Sequence, residues 1–272
     1  MAFKIGFTAN HESKKKNETY AAAHAAAAPR RSVVKVYFPE RNMNLAYYND
    51  SFDLRCGDTV YVDGKLEGLR GKVTEVNYTF KIRLSDYKRV IAVVDTKVHG
   101  EFFKAGSHFV TFDAAALPKE QVRSWYMAPQ NEEDEYVCGS GGDDGFELDE
   151  LSGMNVSSAI AERGQSYYAE NRVRYICLDG NSGYAIVEGS RPYEVEFECD
   201  GGGRIRGLTC TCYCTGGCKH EVAAMLQLKE TLELISKNCV GGEKRPEYFA
   251  AIDRAELFSF AIDGMENGSF RL

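Results

Sequence analysis

Cys210-Thr211-Cys212-Tyr213-Cys214-Thr215-Gly216-Gly217-Cys218-Lys219-His220 places four cysteines and a histidine within eleven residues. Two close pairs, Cys210-x-Cys212 and Cys218-x-His220, flank the spacer Tyr213 to Gly217. Thiolate and imidazole are the ligands that Zn²⁺ prefers in closed tetrahedral sites. The two glycines permit a tight reversal, so that the second pair can face the first. Cys214, inside the spacer, is a fifth donor, and residue chemistry alone leaves open which four would bind. Val222, Ala223, Met225, Leu226, Leu228 and Leu232 follow at the spacing of one helix face. That helix would carry His220 on its first turn and Cys218 at or just before its start. Buried thiols without function are common, yet five donors in so short a stretch favour a metal. An ion held by four protein ligands has no open position for water, so its role would be structural.

Upstream, Ser157 to Tyr168 has a helical pattern interrupted at Gly164. Val173–Leu178, Tyr184–Glu188 and Tyr193–Glu198 alternate as strands, with Asp179-Gly180 as a hairpin turn. Ile205 to Thr209 leads into the cysteine cluster. Glu194, Glu196 and Glu198 share one strand face, which is expected to meet solvent. Between residues 171 and 220 acids and bases balance at six each, so this half shows no evident phosphate-binding charge.

C-x-C, a short spacer, C-x-H and an apolar helix together resemble the SWIM zinc finger. The resemblance runs from about Ala159 to Ile235. It includes the lead-in Arg163-Gly-Gln-Ser-Tyr-Tyr-Ala-Glu-Asn-Arg-Val-Arg-Tyr175, which is similar to bacterial members. It implies Cys210, Cys212, Cys218 and His220 as ligands of one structural Zn²⁺, with Cys214 outside the set. It also implies DNA binding or protein–protein contact. SWIM fingers are often attached to helicases of the SWI2/SNF2 type, and no such motor is visible in this chain.

The N-terminal half reads as β structure. Val33–Phe38, Asn44–Tyr48, Val60 with Val62, Val73 with Val76, Phe80–Leu84 and Val90–Val94 carry strand signals, separated by Gly64, Gly68 and Gly71. Gly57 to Ile82 resembles KOW-type and related SH3-like barrels, several of which bind RNA or ribosomal partners. Lys65, Arg70, Lys72, Lys81, Arg83, Lys88 and Arg89 would form its phosphate-contacting face. Tyr61, Tyr78 and Phe80 would stack on bases if exposed, although aromatics in small barrels are usually core. Gly71-Lys72-Val73 fails as a phosphate loop, because Leu66 and Val73 stand where glycine and a hydroxyl residue are needed. His99-Gly100-Glu101 lacks the Pro-Cys-x-x-Cys of a zinc deaminase.

The chain of 272 residues carries a net charge of −7. Residues 1–127 hold 20 Lys and Arg against 14 Asp and Glu, while the remainder holds 13 against 26. A basic first half favours an anionic partner there. There is no 18-residue apolar run, so no membrane partner is expected, and no site for a small-molecule substrate is evident. Five cysteines scattered outside the cluster (Cys56, Cys138, Cys177, Cys199 and Cys239) suit a reducing compartment, and the reading is cytoplasmic.

The expected fold class is α+β, a small N-terminal SH3-like β-barrel followed by a ββα-type zinc finger domain with flanking helices. The expected organisation is a basic tail over 1–31, the barrel-like domain over 32–127, an acidic flexible linker over 128–152, the finger domain over 153–240 and a helical extension over 241–272. Functionally this describes a non-enzymatic, zinc-binding protein associated with DNA or RNA. The alternative is a zinc-dependent protein–protein adaptor, serving a separately encoded helicase.

Overall fold

The computed structural model describes residues 4–6, 29–129, 145–214, 216–238 and 246–263. The alanine run 21–28, most of the basic tail, and most of the acidic stretch lie outside these residues. The described chain is α+β with two antiparallel sheets. In order, its elements are β1 (Lys4–Gly6), β2 (Ser32–Phe38), β3 (Met43–Asn49), β4 (Thr59–Val62), β5 (Gly71–Asn77), β6 (Val90–Val93), β7 (Glu101–Ala105), β8 (His108–Thr111) and α1 (Lys119–Tyr126). These are followed by β9 (Phe146–Glu147), α2 (Ser158–Ala169), β10 (Val173–Asp179), β11 (Ser182–Glu188), β12 (Pro192–Cys199), β13 (Arg204–Cys210), α3 (Lys219–Asn238), β14 (Tyr248–Asp253) and α4 (Arg254–Asp263).

The first sheet has the order β3-β2-β5-β4-β6. Val34, Val36 and Phe38 alternate along β2 and bury with Val60, Val62, Val73 and Val90, as period-two patterning requires. The closed barrel expected from the sequence is instead an open sheet. Its edge segments meet at one bridge between Tyr48 and Arg89, beside the ion pair of Arg89 with Asp50. The strand expected over Phe80–Leu84 does not form. Ser85 and Asp86 favour turns, and Leu84–Asp86 is a single 3₁₀ turn.

The second sheet has nine strands in the order β1-β7-β8-β14-β10-β11-β12-β13-β9. The four ligand-side strands β10 to β13 form the meander that the sequence predicts. They do not form a separate ββα unit, because the sheet continues on both sides. The strands at 101–111, read from sequence with the first domain, belong to this sheet: β8 pairs with β14 from Ala250↔Thr111 to Asp253↔His108. Tyr248–Asp253, read as helical, is thus an inner strand. Its run Tyr-Phe-Ala-Ala-Ile-Asp is too short for periodicity to separate strand from helix. The expected linker also loses its last residues to structure, since β9 pairs with β13 and Leu148 is buried.

Both faces of this sheet are covered, which explains why β10 is almost continuously apolar. Ile176 and Leu178 face a core with Ala223, Ala224, Met225 and Leu228 of α3. Tyr175 and Cys177 face the opposite core, with Val122 and Trp125 of α1, Leu257 and Phe260 of α4, and Tyr61 of the first sheet. Trp125 joins these parts. Its ring stacks on Phe260 at 4.7 Å, and its Nε1 donates to the Asp95 carbonyl at 2.6 Å.

α1 also changes the fate of the glutamate face of β12. Arg123 Nε donates to Glu194 Oε1 at 2.7 Å, and the Tyr184 hydroxyl donates to the same oxygen at 2.8 Å. Burial would raise the Glu194 carboxyl, but these two donors hold it below the usual carboxylate range. Glu194 is therefore largely covered and is not solvent-facing as expected. Glu196 remains exposed and pairs with Lys119 at 3.0 Å.

Candidate metal centre

β13 delivers Cys210 at its last position, and the turn beyond it carries Cys212. The chain then reverses into α3. The Val222 amide donates to the Cys218 carbonyl at 3.1 Å, which makes Cys218 the N-cap of the helix. The cap is reciprocal. The Cys218 amide donates to Glu221 Oε2 at 2.8 Å, and the Glu221 amide donates to Cys218 Sγ at 3.5 Å. This is a capping box with sulfur in place of a hydroxyl. It also puts the Cys218 thiolate at the positive end of the helix dipole.

Gly164 fixes where α2 crosses this helix. A Cβ there would lie 2.4 Å from Val222 Cβ, so only glycine permits the approach. The interruption expected at Gly164 is absent; α2 is continuous, and the residue serves packing.

Cys210, Cys212, Cys218 and His220 offer donor atoms that all lie within 4.8 Å of one another. His220 Nδ1 is 3.6 Å from Cys210 Sγ and 3.7 Å from Cys218 Sγ. A tetrahedral ion with metal–sulfur bonds of about 2.3 Å and metal–nitrogen bonds of about 2.0–2.1 Å sets sulfur and nitrogen about 3.6 Å apart. The spacing fits one such ion, held through Nδ1. Cys218 and His220 are buried, while Cys210 and Cys212 are half-buried. Cys214 is exposed and stands outside the group.

The imidazole is oriented by rings. Tyr193 lies flat on His220 at 4.2 Å between centroids, and Tyr167 meets it edge-on at 5.5 Å. Nε2 of His220 is buried and has no hydrogen-bond partner among the described residues. Gly189 keeps this pocket open, since a Cβ would lie 2.8 Å from the Tyr193 ring and 3.2 Å from Nε2.

Without a metal, the thiols share protons unequally. The Cys210 proton is drawn toward the Cys218 sulfur, which lowers Cys218 and raises Cys210. Burial raises Cys212. Burial, together with the Cys218 charge, pushes Glu221 up to about 8. Metal binding must therefore expel protons from Cys210 and Cys212, so affinity is expected to rise with pH. A pH-indicator dye in weak buffer should report acid release when metal-free protein is loaded at pH 7. Affinity independent of pH between 6 and 8 would contradict thiolate ligation.

The seven basic residues of the first sheet are dispersed in their engagements. Lys65, Lys81, Arg83, Lys88 and Arg89 are exposed, while Arg70 and Lys72 are half-buried. Lys88 pairs with Asp63 at 3.5 Å, Arg89 pairs with Asp50, and Arg70 lies over the Phe260 ring at 4.9 Å. Tyr61 is fully buried, Phe80 meets Tyr48 at 6.1 Å, and Tyr78 is exposed beneath Arg30 at 4.2 Å. Glu221, Tyr167 and Tyr193 escape the sequence reading, although the spacing Cys218-x-x-Glu221 carries the capping-box signal. Among the described residues no helix is long and apolar enough to cross a membrane.

No family model matches the chain, and no solved structure matches it. Over 70 residues, 26% of this chain, it is 39% identical to an uncharacterized protein of Methanocaldococcus jannaschii. That stretch spans 29% of the relative's length.

Proposed function

We propose that the chain is a non-enzymatic, zinc-binding protein associated with nucleic acid, built on a SWIM-type finger. The observation that carries the reading is the Cys210, Cys212, Cys218 and His220 group with its mutual spacing below 4.8 Å. Three thiolates and one imidazole close enough to share one ion favour zinc over harder cations. All four positions are protein donors, so the ion braces β13 against α3 and activates no water.

The nucleic-acid part rests on the basic first half and on the exposed Lys65, Lys81 and Arg83. On this reading the first sheet, which resembles SH3-like barrels, supplies phosphate contacts. The test is fluorescence anisotropy of zinc-loaded full-length protein with single- and double-stranded DNA and RNA, at low and physiological salt. Binding should fall steeply as salt rises. Absence of binding at low salt would remove the reading.

A second reading, a protein-interaction adaptor, is favoured by β3. This edge strand exposes Met43 (43%) and Leu45 (37%) on a sheet border, a surface suited to strand addition. Salt-insensitive binding to a protein partner would select it.

A further inference from the structure

β3 forms the border of the first sheet, with β2 on one side and, among the described residues, no further strand on the other. Its seven residues, Met43-Asn-Leu-Ala-Tyr-Tyr-Asn49, carry no charge. Sheet borders are usually blunted by short strands or charged side chains. The larger sheet follows that rule. Its outermost strands are β1, three residues with Lys4, and β9, two residues with Glu147. β3 has neither protection.

One hydrogen bond shows which groups of β3 point outward. The Tyr48 amide donates to the Lys88 carbonyl at 2.9 Å, so it faces away from β2. Bonding direction alternates along an antiparallel strand. Asn44 and Ala46 therefore also present N–H and C=O outward, while Met43, Leu45 and Tyr47 bond to β2. Lys88 closes the border at Tyr48, which leaves Met43 to Tyr47 open. Met43, Leu45 and Tyr47 share the sheet face of Phe38, Val36 and Val34, their partners in register. Those three partners and Tyr47 are buried in the core, whereas Met43 and Leu45 stand 43% and 37% exposed. The apolar face of the sheet thus ends at its border with two side chains half uncovered.

We propose that β3 pairs with β3 of a second copy of this chain, antiparallel about a two-fold axis at Leu45. The open stretch is symmetric about that residue. In this register Asn44 of each copy lies opposite Ala46 of the other, and each such pair exchanges both of its N–H···O bonds. No outward group of the stretch is left over. Leu45 meets Leu45 of the second copy at the non-hydrogen-bonded position, where side chains approach most closely. Met43 meets Tyr47 of the second copy, so the two half-covered apolar faces become continuous. Charge agrees with this direction. It brings the exposed Arg41, just before β3, toward Asp50 of the second copy, just after it, whereas in-register parallel pairing would set Arg41 beside Arg41. The contact is isologous and closes on itself. It uses the border named in the adaptor reading and gives it a different occupant, the chain itself in place of a foreign strand.

The test is sedimentation velocity on zinc-loaded full-length protein across a wide concentration range. The mass should rise with concentration from one chain toward two. Ala46→Pro removes an outward amide at a border, where proline is tolerated, and Leu45→Lys sets like charges opposite each other. Each change counts twice in a two-fold contact, so each should weaken the dimer by about tenfold while circular dichroism stays that of the wild type. Leu45→Cys reports the register. Cα atoms of a non-hydrogen-bonded pair lie about 4.5 Å apart, within disulfide range. Oxidised glutathione should therefore yield a covalent dimer that dithiothreitol reverses. Met43→Cys, displaced along the strand from its own counterpart, should not, and the wild type controls for the exposed Cys56 and Cys214. A chain that stays monomeric at every concentration would overturn the proposal and leave the border to a foreign strand, so the adaptor reading survives that outcome. A dimer untouched by both Ala46→Pro and Leu45→Lys, or Met43→Cys cross-linking as readily as Leu45→Cys, would overturn it as well.

Discussion

Stripping the ion with a strong chelator is expected to lower the melting temperature by about 8–16 °C. A ligand held at about 1,000 times its Kd stabilises by about 4 kcal/mol, and each kcal/mol moves Tm by about 2–4 °C for a chain of this size. Cys218→Ser should do the same, because it removes a soft ligand and weakens the cap of α3 in one change. The loss should be local in character. Met225, Leu228 and Ile235 keep the rest of α3 in its core, so circular dichroism should retain most of the helix signal. Amide exchange should accelerate first around residues 210–222. Cys214→Ser is the matched control; it should keep full metal content and an unchanged Tm. Full zinc occupancy in purified Cys218→Ser protein would refute the assigned ligand set.

Trp125→Ala is expected to cost about 3–5 kcal/mol, the range for deleting a large buried aromatic. The ring fills the junction where α1, α4 and Tyr61 of the first sheet meet, and its removal also orphans the stacking face of Phe260. Trp125→Phe keeps most of the volume and loses the hydrogen bond to Asp95. The Asp95 carbonyl still accepts from Gln121 Nε2 at 3.1 Å, so this change should cost only about 1 kcal/mol. Urea unfolding followed by circular dichroism measures both. A cost below about 1 kcal/mol for Trp125→Ala would mean that α1 is not the joint between the two sheets.

The Cys and His group that could hold a metal ion was the most legible part of the chain, because its four donors lie within eleven residues. Cys210, Cys212, Cys218 and His220 need no distant partner to be recognised. The meander was legible for a related reason: Asp179-Gly180 and the alternating strands around it are local signals. What escaped was set by distant packing. Tyr248 to Asp253 carries the same apolar run whether helical or extended, and only its neighbours β8 and β10 decide. Glu194 reads as a solvent residue until Arg123, 71 positions away, covers it. Gly164 looks like a helix breaker, yet it is a contact point for Val222. The seven basic residues of the first sheet share a charge sign, but sequence could not show that Arg70 turns toward Phe260.

The position of β14 has a consequence for how the molecule is made. The strand lies in the interior of the larger sheet but comes after every other strand among the described residues. During synthesis, β10 to β13 can pair as they emerge, since each partner is close in sequence. β8 and β10 cannot be bridged until residue 253 has left the ribosome. Until then each presents a bare row of amides and carbonyls, the kind of edge that recruits other chains. This sheet is therefore joined only after β14 has emerged, and a nascent chain halted before Tyr248 holds two partial sheets with their sticky borders exposed.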